Sequence, residues 1–290
     1  MLKNRIHFLS NTAVHGFLSI LVIHSLQGQT SQLDSLKRPV AGTRVDTHQV
    51  NALNELARQL LNTGDYDSSE SYARRANLLA DELGHKAGLA RSYLYLGGTN
   101  LGKGKFPEAL TNYLAALKIF EEVNNKRAMA QCYNGVGNVY GQQLNYTDAL
   151  KNYASSLNIS LEINDQVGLA STYNNIGNIH SDRGNYQEAL KNYQASLSMS
   201  EKAGNPFMVA ASYNNIGNVL IKQGHYDEAL RMQLAALKIR EELGNKSGIA
   251  NSLLNIGAAY VSIKNYQEAE KYGLLALDDF RAIGELEGVM

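Results

Sequence analysis

Tyr173-Asn174-Asn175-Ile176-Gly177-Asn178, followed shortly by Asn185-Tyr186-Gln187-Glu188-Ala189-Leu190, is the stretch on which the reading of this chain turns. Both words recur at a constant step of forty residues. The first returns as Tyr133-Asn-Gly-Val-Gly137-Asn138 and Tyr213-Asn-Asn-Ile-Gly217-Asn218. The second returns as Asn145-Tyr-Thr-Asp-Ala149-Leu, His225-Tyr-Asp-Glu-Ala229-Leu and Asn265-Tyr-Gln-Glu-Ala269. Six units, beginning at Gln49, Leu89, Met129, Leu169, Val209 and Ile249, follow one another without insertion or deletion. A fixed period of this length marks stacked structural repeats, each too small to bury its apolar face alone.

Within a unit the apolar and small residues fall at helical spacing, as in Tyr173, Ile176, Gly177 and His180, and then Tyr186, Ala189, Leu190, Tyr193, Ser196 and Leu197. Each unit is therefore a pair of amphipathic helices. Gly84, Asn124, Asn164, Gly204, Gly244 and Gly284 stand where the second helix stops, and these residue types tolerate the left-handed backbone of a helix end. The residues after them, Asn125, Asp165, Asn205 and Asn245, are fit to cap the next helix, and Pro206 suits a first helical position. Between the two helices of a unit, Gly184-Asn185 with Glu188 predicts a capping box.

The pattern resembles the tetratricopeptide repeat, with Tyr173, Ile176, Gly177, His180, Ala189, Tyr193 and Ser196 at its signature offsets, over residues 49 to 288. It departs from the common form in its longer unit and in lacking the proline that ends the second helix. The Ile/Val-Gly-Asn word is similar to the long-repeat subgroup of Leu-Gly-Asn adaptors and bacterial signalling proteins. The resemblance implies an all-α fold, a right-handed α-α superhelix of about six hairpins. These span 49–88, 89–128, 129–168, 169–208, 209–248 and 249–288. The small residues have a packing role in this reading: Gly177 and its equivalents admit close helix approach, and Ala189 and its equivalents sit beneath an aromatic ring. Glu70, Asn77 and Arg58 give the first unit the polar character expected of a terminal cap.

Lysine plus arginine equals aspartate plus glutamate, 27 each, so no net field draws in nucleic acid or anionic lipid. Lys3, Arg5 and His7 precede an apolar run over Phe17 to Ile23, a run too short to span a bilayer. Residues 1–28 thus read as a signal peptide, 29–48 as a leader, and the expected place of the repeats is exported, on the periplasmic or extracytoplasmic side. Val289-Met290 matches the first positions of a seventh unit, as if the chain stopped at the start of another repeat. The leader is similar to those of bacterial exported repeat sensors, whose repeats precede a membrane helix and a kinase or cyclase. That likeness implies a membrane tether beyond this chain, and no span lies within it.

Asn134 and Asn138, Asn174 and Asn178, and Asn214 and Asn218 each lie one helical turn apart, so stacking turns them into a ladder of amides. By the resemblance these offsets line the concave groove, where amides would pair with the main chain of a protein or peptide. The alternative for the same residues is to solvate an exposed face or brace neighbouring helices. Only Arg58 and Arg91 are near the offsets that a carboxylate-binding groove of this family uses. Other signals fall away. Gly97-Gly-Thr-Asn-Leu-Gly102-Lys103 approaches a phosphate loop but Gly104 follows in place of Ser or Thr. Cys132 shares its column with Ala52, Ser92, Thr172, Ser212 and Ser252, a small packing position. No cofactor, metal or catalytic constellation is expected, and the functional expectation is a non-catalytic scaffold, either an exported sensory or assembly region or a cytoplasmic adaptor.

Overall fold

The computed structural model describes residues 46–284. The signal peptide expected at 1–28, nearly all of the leader and the Val289-Met290 start of a further unit lie outside the described residues. Among the described residues the chain forms twelve α-helices and no strand. They are α1 (Thr47–Asn62), α2 (Tyr66–Glu82), α3 (Lys86–Gly102), α4 (Phe106–Glu122), α5 (Lys126–Gln142) and α6 (Tyr146–Glu162). The second half repeats them as α7 (Gln166–Asp182), α8 (Tyr186–Lys202), α9 (Pro206–Lys222), α10 (Tyr226–Glu242), α11 (Lys246–Ser262) and α12 (Tyr266–Ala282). Successive helices pair into six hairpins that pack one after another as an all-α superhelical solenoid. The helices start a few residues ahead of the unit frame counted from the sequence, because the frame chosen on a periodic chain is arbitrary.

Three residues separate each helix from the next, and the middle one always turns left-handed. Gly84, Asn124, Asn164, Gly204, Gly244 and Gly284 hold φ of 62°, 49°, 53°, 60°, 64° and 74°, at the ends the sequence marks. After α7 the Gly184 N–H donates to the Ser181 carbonyl (3.0 Å) and the Asn185 N–H to the His180 carbonyl (2.8 Å), which closes the last turn. Leu144 (φ 60°) and Lys264 (φ 62°) take the same conformation without glycine or asparagine chemistry.

Asn125, Asn205 and Asn245 cap as expected, accepting from the Ala128, Met208 and Gly248 N–H groups at 3.2, 3.2 and 3.0 Å. Two expected caps do not form. Asn185 makes no side-chain cap bond, so the box with Glu188 is absent; Asn145 and Asn265 do cap their helices, through the Asp148 and Glu268 N–H groups. Asp165 turns instead to Arg127 Nε at 3.1 Å, because a charged partner from the preceding hairpin competes with the helix end.

Packing follows the periodic code. The ring of Tyr193 on α8 lies over Gly177 on α7, so that a Cβ at Gly177 would fall 2.6 Å from the ring, and Tyr153 over Gly137 repeats this at 2.5 Å. Ala189, Ala149 and Ala229 are fully buried beside these contacts. The core is a chain of small clusters, each shared by adjacent helices, rather than one centre. First helices of neighbouring hairpins touch one another (α1 with α3, and so on to α9 with α11), whereas no second helix touches another second helix. The first helices therefore form the inner, shorter wall of the superhelix and the second helices its outer wall.

The first hairpin differs from the expected polar cap. Glu70 bonds Lys103 (2.6 Å) and Arg74 (2.5 Å), and Asn77 donates to Ser92 Oγ (2.9 Å), so both face the next hairpin rather than solvent. Their columns carry leucine in the middle units because those positions make the inter-hairpin contact. The Lys103 and Arg74 pairs hold the Glu70 carboxyl well down, at about 2.

Candidate functional site

Every asparagine of the expected ladder lies on the first helices, the inner wall, and most of their oxygens are engaged by protein. Asn175 on α7 donates to both Asn134 Oδ1 and Asn138 Oδ1 on α5, each at 2.9 Å. Asn215 on α9 repeats the reach to Asn174 Oδ1 (2.8 Å), and Asn255 on α11 to Asn214 Oδ1 (2.8 Å). From the outer helices the Tyr153 and Tyr193 hydroxyls donate to Asn138 Oδ1 (2.8 Å) and Asn178 Oδ1 (2.7 Å). Gln233 Nε2 does the same for Asn218 Oδ1 (2.7 Å). The amides are thus a brace between helices in which the acceptor ends are consumed. What they offer the interior is donors: within the described residues no bond is made by Nδ2 of Asn138, Asn174, Asn178 or Asn218. Asn134 Nδ2 is spent on Thr172 Oγ1 at 2.9 Å.

The ladder lapses at α3 and α5, and there the wall is hollow. Where Asn138, Asn178 and Asn218 stand in later hairpins, α3 has Gly98; where Asn175 and Asn215 stand, α5 has Gly135. A groove of about 690 Å³ opens over α1, α3, α5 and α7, and both glycines border it. Its floor includes Leu61, Leu94, Tyr95 and Tyr113, and its rim Arg58, Arg127, Gln131 and Asp165. The Tyr113 ring packs on Gly97 and Gly135, with hypothetical Cβ contacts of 2.7 and 2.5 Å. Its hydroxyl, whose equivalents bond Asn138 and Asn178, finds only Gly98 and makes no bond within the described residues. Burial raises the Tyr113 phenol, so it is a permanent donor at neutral pH. The rim charges are matched: Arg58 pairs with Glu55 (2.9 and 2.5 Å) and Arg127 with Asp165.

Of the six expected ladder residues, the structure brings Asn134 and Asn138 to this groove. Asn178 and Asn218 border a shallower hollow of about 400 Å³ with Asp182 and Lys222, and Asn174 borders none of these hollows. Asn214 lines a separate polar hollow of about 630 Å³, where Asn62 and Thr63 at the end of α1 stand opposite α11 across the interior. Arg240 also borders it, a residue that column reading passes over although it breaks a series of Ala80, Phe120, Ser160, Ser200 and Phe280. Tyr95 and Gly98 could have been found the same way, as the points where the amide columns lapse.

The remaining signals resolve locally. Gly97 to Gly102 is helical and Lys103 is engaged by Asp67 and Glu70, each at 2.6 Å, so no phosphate-binding loop exists there. Cys132 is fully buried and burial pushes its thiol up to about 12, which leaves no thiolate at neutral pH. Among the described residues no group of three His, Cys, Asp or Glu could hold a metal, and no helix is long and apolar enough to cross a membrane.

Comparison with known proteins bears on the repeat fold. The family profile described as Tetratricopeptide repeat matches residues 48–122, 128–202 and 208–282, and a second profile of the same description matches 174–240. No curated protein sequence matches the chain. Among solved structures, BtubC from P. vanneervenii aligns with a TM-score of 0.62 at 22% identity, covering 79% of this chain and 92% of that one. A Rap protein complexed with Competence and Sporulation Factor aligns at 0.70 and 13% identity, covering 88% and 75%. NprR in complex with its cognate peptide NprX aligns at 0.62 and 15%, covering 94% and 81%. At these identities the likeness is one of fold.

Proposed function

The chain belongs to the tetratricopeptide repeat family, and from that premise we propose that it is a binding scaffold whose inner wall captures a peptide or an extended segment of a protein. The observation that carries this reading is the interrupted ladder. At Gly98 and Gly135 two amides are missing, an apolar floor is uncovered, and the Tyr113 hydroxyl is left as an unpaired donor. An apolar floor with a few directed polar groups is how a binding site combines affinity with orientation. The free Nδ2 donors of Asn138, Asn174, Asn178 and Asn218 continue the same wall and suit the carbonyl oxygens of a guest main chain. The peptide in the NprR structure supports the choice of guest by likeness of fold.

We read the basic and then apolar opening at residues 1–28 as an export signal, which makes the scaffold the sensory or assembly part of an envelope protein. Cell fractionation with N-terminal sequencing tests this; an intact N-terminus in the cytoplasm would favour the adaptor reading.

The groove is tested by Gly98→Asn. The new amide would meet the Tyr113 hydroxyl as Asn138 meets Tyr153, and its nearest obstacle is the flexible end of Leu61, 2.7 Å from the added Cβ. A random octapeptide library is panned on the wild-type chain and the best binder followed by fluorescence anisotropy. The variant should keep its melting temperature and bind at least about tenfold more weakly, the loss of roughly one good contact. Equal binding by the refilled wall would overturn the assignment of this groove.

A further inference from the structure

We propose that the polar hollow between α9 and α11 holds a carboxylate of the guest, with the Arg240 guanidinium as its counter-ion. This rests on the reading of the inner wall as a guest-binding surface and names the chemistry the guest must carry.

Arg240 stands half-buried in the last turn of α10, in a column where Ala80, Phe120, Ser160 and Ser200 are almost completely buried. A cation at a packing position is unfavourable unless an anion meets it. Among the described residues none does. Its Nη1 donates to the Gly248 carbonyl (3.0 Å) and to Ser252 Oγ (2.6 Å), both neutral, and among the described residues no acidic side chain borders the hollow. The neighbouring Glu241 carboxyl is raised by burial and by Asp279, the opposite of what a pair with Arg240 would produce. Burial lowers the Arg240 guanidinium from its usual value, yet an arginine stays charged at neutral pH.

Around that uncompensated charge the lining is amide: Asn62, Asn214, Asn251 and Asn255, with Ser247 and Gly248 of the first turn of α11. Asn214, Asn251 and Asn255 each spend one Nδ2 hydrogen within the protein, on Asn215 Oδ1, the Ser247 carbonyl and Asn214 Oδ1, and keep the other; these hydrogens and the helix dipole favour an anion, and none supplies a second full positive charge. A single guanidinium with neutral donors matches a carboxylate monoanion; a phosphate dianion would be left half-compensated. Asn214 belongs both to this hollow and to the braced ladder, so an acidic side chain of a guest lying on the inner wall can reach Arg240.

The test has two arms. In the first, the side-chain amide signals of Asn214, Asn251 and Asn255 are followed by NMR in the full chain during titration with N-acetyl-glutamate amide, N-acetyl-glutamine amide and inorganic phosphate. Saturable shifts should appear with the carboxylate and not with its amide. They should vanish in Arg240→Ser, which places there the residue that the fold already accommodates at Ser160 and Ser200. In the second arm, peptides panned from the octapeptide library should carry an aspartate or glutamate. Its change to Asn or Gln should weaken binding about 30-fold or more in the wild type and leave Arg240→Ser indifferent, as for a desolvated charge pair. Shifts that persist in Arg240→Ser, or tighter binding of phosphate, would overturn the proposal. So would selected peptides that need no acid. Failure to select any peptide, with the carboxylate shifts intact, would remove the groove reading and leave the carboxylate site standing.

Discussion

Replacing Gln233 by tyrosine should stabilise the protein. The column of Tyr113, Tyr153 and Tyr193 is broken in the fifth hairpin by Gln233, which is fully buried. Its Nε2 bonds Asn218 Oδ1 (2.7 Å) and the Asn214 carbonyl (3.1 Å), but its Oε1 is buried with no partner. An orphaned buried acceptor costs about 1–3 kcal/mol. Tyrosine would lay its ring on Gly217, as Tyr193 lies on Gly177, and give its hydroxyl to Asn218 Oδ1 as Tyr193 does to Asn178. The orphan disappears, the Asn218 bond is kept and apolar contact is added. Against this stand the lost bond to the Asn214 carbonyl and the need to seat a larger side chain, which leaves a net gain of about 1–2 kcal/mol. Because each hairpin touches only its neighbours, the gain should be local. Native-state hydrogen exchange should slow about 5- to 30-fold in α9 and α10, with a rise in melting temperature. Gln233→Leu is the control, since it removes the orphan but strips Asn218 of its donor, and it should gain less. A lower melting temperature for Gln233→Tyr, or unchanged exchange in α9 and α10, would refute the account of this column.

Leu144→Gly should stabilise by about 1 kcal/mol by relieving a left-handed leucine, read from a urea midpoint; the exposed side chain gives up little packing. Glu70 has its carboxyl depressed to about 2 from an ordinary 4.5, so its contribution is complete above pH 4.5 and is lost as pH falls towards 2. Screening limits it to about 1 kcal/mol, and Glu70→Gln should flatten the acid limb of stability in that window while leaving its shape above pH 5 unchanged. Asn215→Ala deprives Asn174 Oδ1 of its donor and should cost about 1 kcal/mol, seen as faster exchange in α7 and α9. Ala189→Leu should overpack a fully buried position by about 1–3 kcal/mol in thermal unfolding.

How far the sequence carries can be judged residue by residue. The left-handed Gly84 and Asn124 were legible because a helix end restricts φ at one residue, and only certain side chains tolerate it. Leu144 and Lys264 were illegible there for the same reason inverted: the hairpin imposes the turn and the residue bears the strain. The helical face of Asn174 and Asn178 follows from their spacing. What the spacing cannot say is that Asn215, one residue out of register in the next unit, takes the oxygen of Asn174. Asn185 looked like a cap and is none, while Asp165 looked like a cap and is an ion-pair partner.

By itself, then, the sequence determined the period, the helical pairs, the turns between them and the face on which the amides lie. All of these depend on φ preferences and on neighbours three or four positions away, which a forty-residue beat repeats six times over. Only the tertiary structure decided which atoms of the amides remain available, that the wall is open at Gly98 and Gly135, and that Arg240 faces a hollow with no acidic side chain among the described residues. Those depend on pairings between side chains some forty residues apart and on a curvature that sets the end of α1 opposite α11. That curvature is the sum of small rotations at every interface, and no single repeat encodes it.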